Sequence, residues 1–354
     1  MSKRKKAYLD IPTYFNDKFI DFIQNINEGK DTIYKIKHVY GSISGLFSAR
    51  ESERLPDVTP GNIPSHIRQL KEVGVEFFYT FNASCLGSLE HFKIKKIIHI
   101  INDLNNLNIQ NFIIAHPLLI ELIRERIKNA NFKMSVICEI DDIRRFNHFI
   151  NKRKIGIINL STSINRDFQI LEKMSKRRKN IILLSNEACL FMCPYRASHY
   201  TIESHREKTH FPYSDYPLDK CYELLTDDEI LRSRFILPEW LPIYEKYAKF
   251  FKISGRTFPV EFIKKVTTCY ATGKSPKNIL ELFPIVVSSV SNEQTGVREK
   301  RILEISEREK MKFLSHFRLL GHLCKVKCPC GHCNSYKKNI KKLKVRTDDF
   351  QHRR

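Results

Sequence analysis

The chain has no apolar run near the ~18–20 residues that a membrane-spanning helix needs. Its start, MSKRKKAYLD, is basic with no apolar segment behind it, so a secretory signal is not expected. Also absent are a glycine-rich phosphate loop, a GxSxG elbow and an HExxH helix. Serine hydrolysis and the familiar zinc hydrolysis therefore have no motif to support them. No closely spaced CxxxCxxC triplet occurs, the pattern that would suggest cluster-bound S-adenosylmethionine. Acidic residues are comparatively scarce: 39 Asp and Glu against 61 Lys and Arg give a formal charge of +22. Such a surplus attracts anions, and nucleic acid is the usual partner. A lysine-rich proteome would give the same bias.

What is present is enough to fold. Hydrophobic residues make up 42% and aromatics 11% of 354 residues, ample for a core and consistent with one or two domains. With no signal sequence, the ten cysteines are expected in a reducing cytoplasm, where grouped thiols mean metal or redox chemistry rather than disulfides.

Short apolar runs alternate with longer amphipathic segments, the mark of a parallel α/β fold. The strands expected are Ala7–Ile11, Ile36–Ser42, Val75–Phe81, Asn111–Ala115, Lys133–Cys138, Ile155–Leu160, Ile181–Leu184 and Phe250–Ile253. Helices are expected at Pro64–Val73, His91–Leu107, Pro117–Ala130, Asp141–Asn151, Asp167–Arg178, near Asp227–Arg234, at Pro259–Thr272 and over Ile302–Leu320. Eight strands alternating with helices is the count of a TIM-like (β/α)8 barrel, with a doubly wound open sheet as the alternative. The connection from Cys193 to Phe250 is a long insertion before the last strand. The barrel is assigned to residues 1–285, and 286–354 to a C-terminal helical extension with a Cys-rich basic tail.

A barrel carries its chemistry on the loops after the strands. Asn180–Arg196, NIILLSNEACLFMCPYR, is the central case: a buried strand delivering Asn186, Glu187, Cys189 and Cys193. Thiolates are soft ligands, and close spacing lets one loop present two of them to one centre. Cys221 lies on the same connection, and Cys85, in NASCLG, follows the third strand on the same barrel face. The four form one candidate ligand set. Cys324, Cys328, Cys330 and Cys333, in LCKVKCPCGHC, form a second, reading as a zinc knuckle in which His322 or His332 could replace one thiol. Cys138, ending a strand, and Cys269, on a helix, read as core thiols. His199 beside Arg196 suits a bound anion, whereas His205 and His210 suit the surface equally well. Arg166 and Arg256 suit a carboxylate or phosphate, or a fold-stabilising ion pair.

In order, the segments RLPDVTP with FNASCLGS, NRDF, NEACLFMCPYRASHY and FKISGRT resemble peptidase family U32, the collagenase-like group, over roughly Val39 to Leu282. The resemblance implies a TIM-barrel catalytic domain. It also implies either peptidase activity or the oxygen-independent hydroxylation linked to members acting on ubiquinone precursors and RNA, which carry a 4Fe-4S cluster on four cysteines. Carried over, Cys189, Cys193 and Cys221, with Cys85, would hold the cluster. The cysteine spacing departs from the best-known members, and PCGHCNSY has no counterpart among the hydroxylating ones. On the hydroxylase reading an electron donor is needed. Arg166, Arg256 and His199 would hold an anionic substrate, RNA or a small molecule, and Asn186 and Glu187 would orient it. A zinc-containing nucleic-acid-binding protein is the non-enzymatic alternative.

Overall fold

The computed structural model describes residues 7–42, 61–87, 91–152, 154–177, 180–205, 224–283, 289–292, 297–321, 324 and 330–346. Strands β1 (Tyr8–Pro12), β2 (Lys35–Gly41), β3 (Glu76–Phe81), β4 (Asn111–Ile114), β5 (Asn131–Met134), β6 (Ile157–Asn159), β7 (Ile181–Leu184) and β8 (Phe250–Lys252) pair in parallel. Strand β8 returns to pair with β1, through Asp10 and Lys252 among others, and closes the sheet. The protein is a (β/α)8 barrel, and closure removes the open-sheet alternative.

Helices fill the connections: α1 (Asp17–Glu28), α2 (Asn62–Glu72), α3 (His91–Asn106), α4 (Leu118–Arg124), α5 (Ile143–Asn147) and α6 (Phe168–Arg177). Helix α1 was not foreseen. Asn16 caps it by accepting from the Phe19 amide, and Phe19, Ile20 and Ile23 form its buried stripe. Each such side chain contributes about 1.5–3 kcal/mol on burial, which fixes the helix against the barrel despite its polar remainder. The fifth strand is shorter than expected. It ends at Met134, and Val136–Cys138 is a 3-10 turn capped by Ser135, so Cys138 does not end a strand. Its thiol lies 3.1 Å from the Ala115 carbonyl, and burial pushes its pKa up to about 12, as for an inert packing cysteine.

Helices α7 (Arg196–His205), α8 (Asp227–Arg232) and α9 (Leu241–Tyr244) lie in the long connection before β8, and α10 (Val260–Thr272) follows β8. Gly273 ends α10 in the left-handed conformation, φ 69°, that a C-terminal cap requires. Beyond the barrel, β9 (Ser289–Asn292), β10 (Val297–Leu303) and β11 (Ile340–Arg346) form an antiparallel sheet with β10 in the centre. Helix α11 (Glu307–Leu320) opens with a capping box of Ser306 and Glu309, and the short α12 is His332–Tyr336. None of these three strands was read from sequence. Leu303, Phe313, Leu314 and Phe317 join the same apolar cluster as the layer between barrel and helices.

Inside the barrel the composition changes. Outward-facing strand residues such as Leu9, Val39, Leu183 and Phe251 belong to the main core, while Tyr40, Phe78 and Ile113 form a separate small cluster on the axis. Strand side chains alternate, so the neighbours of outward residues point inward. Those inward positions hold charge. Lys133 of β5 donates to Asp10 of β1 at 2.8 Å and lies 3.5 Å over the Phe78 ring of β3, contacts that only the barrel axis allows. Lys252 of β8 sits 3.7 Å over the Tyr40 ring, and the His38 ring stacks on Phe250 at 4.2 Å. Parallel barrel cores are ordinarily filled by Val, Ile and Leu. A register shift between Leu9 and Asp10 relative to β2 marks where the first charged group enters.

Candidate active site at the barrel mouth

The loops after β5, β6 and β7 and the first turn of α7 place a polar constellation at the C-terminal mouth. Arg196 opens α7, and its Nη1 contacts Glu139 at 3.3 Å, Glu187 at 3.6 Å, the Thr162 hydroxyl at 3.5 Å and the Tyr200 hydroxyl at 3.3 Å. Its Nη2 donates to the Leu190 carbonyl at 3.3 Å. All these distances exceed the 2.7–2.9 Å typical of a tight charge-assisted hydrogen bond. The guanidinium is thus shared among many acceptors rather than clamped by one, and an incoming anion can replace a contact. Burial works against its charge, but Cys189, Tyr200, Glu187 and Glu139 together hold its pKa above the ordinary value.

Glu139 follows the 3-10 turn with φ 46°, a left-handed conformation that costs a non-glycine residue about 1–2 kcal/mol. That backbone turns its carboxylate back over the mouth, where Ser161 donates to Oε2 at 2.9 Å. Burial raises its pKa, Arg196 and Ser161 draw it down, and Glu187 and Asp141 push it up again, with a net rise. The carboxylate side chain is 27% exposed, so substrate can reach it. A carboxyl group with a raised pKa, beside a cation, is suited to general acid–base catalysis.

Relatives of the chain bear on what this arrangement belongs to. The profile of peptidase family U32 matches residues 21–179. An uncharacterized protease of Methanocaldococcus jannaschii is 31% identical over 231 residues, 62% of this chain and 68% of that protein. The chain belongs to peptidase family U32. Among solved structures, the U32 peptidase Mk0906 superposes with a TM-score of 0.51 at 15% identity, covering 72% of this chain and 96% of that one. At that identity the likeness concerns the fold alone. The profile match includes Glu139 and Ser161, while Glu187 and Arg196 lie beyond it.

This U32 protein gathers only some of the residues singled out from its sequence. Glu187 and Cys189 are in the constellation, and Cys193 is on the same loop, which turns at Met192 with φ 51°. His199 faces Glu203 along α7 at 3.7 Å. Asn186 is fully buried and engaged: its amide donates to the Ser254 and Leu282 carbonyls, and its oxygen accepts from the Ser254 amide and hydroxyl. It latches the loop after β7 to the loop after β8. Arg256 donates to the Ser42 hydroxyl at 2.7 Å. Gly255 beside it has φ 121°, and a Cβ there would lie 2.8 Å from the Ile263 side chain, so only glycine fits.

Arg166 lies in the fold rather than the mouth. It is fully buried, donates to the Leu231 carbonyl at 2.9 Å, and is surrounded by Phe235, Trp240, Phe313 and Phe317 at 4.4 to 5.7 Å. Phe313 and Phe317 belong to α11, so this guanidinium holds the C-terminal helix onto the barrel. Burial and the neighbouring Arg234 push its pKa down to about 9, which leaves it charged at neutral pH.

The cysteine sets meet less closely. The backbone amides of Ser84 and Cys85 both donate to the Ser204 hydroxyl, at 2.9 and 3.3 Å, near the C-terminal end of α7. Ser204 lies eight residues beyond Arg196, a rise of about 12 Å along the helix. Cys85 is therefore held at the opposite end of α7 from Cys189 and Cys193. Cys221 and Cys328 lie outside the described residues. In the tail, Cys330 Sγ is 3.5 Å from His316 Nε2, His316 stacks on His332 at 3.9 Å, and Cys333 is buried in the core. Among the described residues no three His, Cys, Asp or Glu side chains converge as a metal site. The described cysteines alone do not complete an iron–sulfur or zinc site.

In the sequence Glu139 directly follows the expected strand Lys133–Cys138, and Arg196 stands near His199, but no local pattern joins the two or singles out Ser161, Thr162 and Tyr200. The available signal for Glu139 was a lone carboxylate after an apolar run, with an Asp-rich helix start behind it.

Proposed function

We propose that this U32 protein is a hydrolytic enzyme that cleaves peptide bonds in an acidic peptide at the C-terminal mouth of its barrel. The observation that carries the reading is the Glu139–Arg196–Glu187 arrangement: a carboxyl group with a raised pKa beside a shared cation. In its ionised form Glu139 takes a proton from the attacking water and then delivers it to the departing amine. Arg196 stabilises the oxyanion that develops on the carbonyl oxygen. Glu187 keeps the guanidinium in position. The surplus of positive charge over the whole chain favours an acidic substrate, and the Methanocaldococcus relative carries the name of a protease.

A second reading, cluster-dependent hydroxylation of an anionic substrate, is favoured by Cys189 and Cys193 sharing one loop, with Arg196 in electrostatic contact with Cys189. It requires Cys221 and a fourth thiol at the same centre. The experiment is anaerobic purification with iron, sulfide and zinc analysis, alongside mass spectrometry of an acidic peptide mixture incubated with wild type and Glu139→Gln. Peptide cleavage that falls by about 10²–10⁴-fold in the variant supports the hydrolase. About four irons and four sulfides per chain, lost in Cys193→Ala, with no peptide cleavage, would overturn it in favour of the second reading.

A further inference from the structure

The charged interior of the barrel lies outside the mouth constellation, and its two lysines differ in a telling way. Lys133 is 1% exposed and bound to Asp10, as a buried ammonium must be if it is to stay charged. Lys252 is 6% exposed, and the contact its Nζ makes among the described residues is with the face of the Tyr40 ring, at 3.7 Å, rather than with a carboxylate. It is the last residue of β8, at the end of the barrel where chemistry takes place in this fold. Its amine rests on the Tyr40 ring, near Asp10 but also near Lys133 and Arg256. An ammonium enclosed in this way, against a ring face rather than a carboxylate, is unfavourable, so the amine is driven toward its neutral, nucleophilic form. Burial, reinforced by Lys133 and Arg256 and opposed by Asp10, brings its pKa to about 7.

Other polar atoms inside the barrel also lack partners among the described residues: Asp10 Oδ1, Thr80 Oγ1 and Asn159 Oδ1 are buried and make no hydrogen bond there. Buried polar atoms are ordinarily satisfied, so these three inside the barrel point to a small polar occupant. With Asp10 already taken up by Lys133, the surroundings of Lys252 are net cationic.

We infer that Lys252 is an amine nucleophile that condenses with the carbonyl group of a small anionic compound at the top of the barrel axis. The neutral Nζ attacks the carbonyl carbon, and the carbonyl electron pair moves to oxygen, which takes a proton to give a carbinolamine. Loss of that oxygen as water, with the second amine proton, leaves a C=N bond. Asp10 lies close enough to stabilise the protonated imine electrostatically. Lys133 serves as an internal control: buried alike, but hydrogen-bonded to the Asp10 carboxylate at 2.8 Å, which opposes the lowering of its pKa by burial.

The test uses the full chain at pH 7 with glyoxylate, or with acetaldehyde, in the presence of sodium cyanoborohydride, followed by peptide mapping by mass spectrometry. A surface lysine is about 1 part in 2,500 neutral at this pH and Lys252 about half. Reductive modification of Lys252 is thus expected to exceed that of any other lysine by at least about tenfold, and to be faster with glyoxylate than with acetaldehyde. Lys252→Arg, checked for folding by circular dichroism, should lose the privileged adduct and leave the surface background unchanged. Adducts spread over surface lysines with Lys252 unmodified in the folded wild type, or Lys133 modified as fast as Lys252, would overturn the assignment. Equal rates with the two aldehydes would overturn the anionic character of the ligand.

Discussion

Replacing Lys133 by Met tests whether the barrel is held by an internal ion pair. Lys133 and Asp10 are 1% and 0% exposed and 2.8 Å apart, with Asp10 Oδ1 already lacking a partner. Burial alone would raise the Asp10 pKa, but Lys133, Lys252 and His38 outweigh it and hold the carboxylate ionised. Lys133→Met removes the Lys133 hydrogen bond to that carboxylate, and breaking one side of a buried pair costs about 3–5 kcal/mol. A domain's whole stability is about 5–15 kcal/mol, so the loss is large. The single tryptophan, Trp240, is fully buried between barrel and α11, and its fluorescence reports urea unfolding directly. The double variant Asp10→Asn/Lys133→Met removes the stranded charge and should recover more than half of the loss. Lys252 is the other lysine coupled to Asp10, so in Lys133→Met its pKa should rise and its reductive labelling at pH 7 should slow. A single variant that loses less than about 1 kcal/mol, or a double variant no better than the single, would refute this account.

Other expectations concern the mouth, the C-terminal helix and acid stability. Arg196→Lys keeps the charge but not the fork that reaches Glu139, Glu187 and Thr162 together, so peptide cleavage should fall by at least about tenfold in kcat; an unchanged kcat would remove Arg196 from the reaction. Because Glu139 has a raised pKa, the acid limb of the pH–kcat profile should be displaced upward from that of an ordinary glutamate and disappear in Glu139→Gln. Arg166→Met leaves the Leu231 and Phe235 carbonyls without their donor, which should cost about 2–4 kcal/mol and expose α11 to limited proteolysis, with kcat of the remaining folded protein unchanged. His66 bonds Thr13 at 2.8 Å, and burial lowers its folded pKa to about 4 from 6.5. Between those values the unfolded chain takes up a proton that the native one refuses, so stability falls as pH drops through 6.5 and levels near 4, by about 3 kcal/mol in all. His66→Gln should flatten that slope in urea titrations.

The strands were legible because each is a short apolar run delimited by polar residues, and all eight appear within a few residues of their expected bounds. Where strand five stopped was not legible, since Val136 and Ile137 continue the apolar pattern and only the Ser135 cap turns them into a 3-10 turn. Cys189 and Glu187 were visible as polar residues behind a buried strand. Arg166 shared that signature, yet its surroundings come from Phe235, Trp240, Phe313 and Phe317, residues 69 to 151 positions away, which no local pattern reveals. The charges of Asp10, Lys133 and Lys252 stood in plain view within apolar runs and were passed over.

By itself, then, the sequence determined the (β/α)8 alternation and the barrel face on which polar residues gather, because periodicity and strand-end polarity are properties of neighbouring residues. Only the tertiary structure decided which polar groups meet. Barrel closure brings β1 beside β8 and lets Lys133 reach Asp10 across the axis. The path of α7 sets Arg196 between two carboxylates and carries Cys85 to its far end. Those distances depend on strand register and helix direction, and the pKa values depend on them in turn.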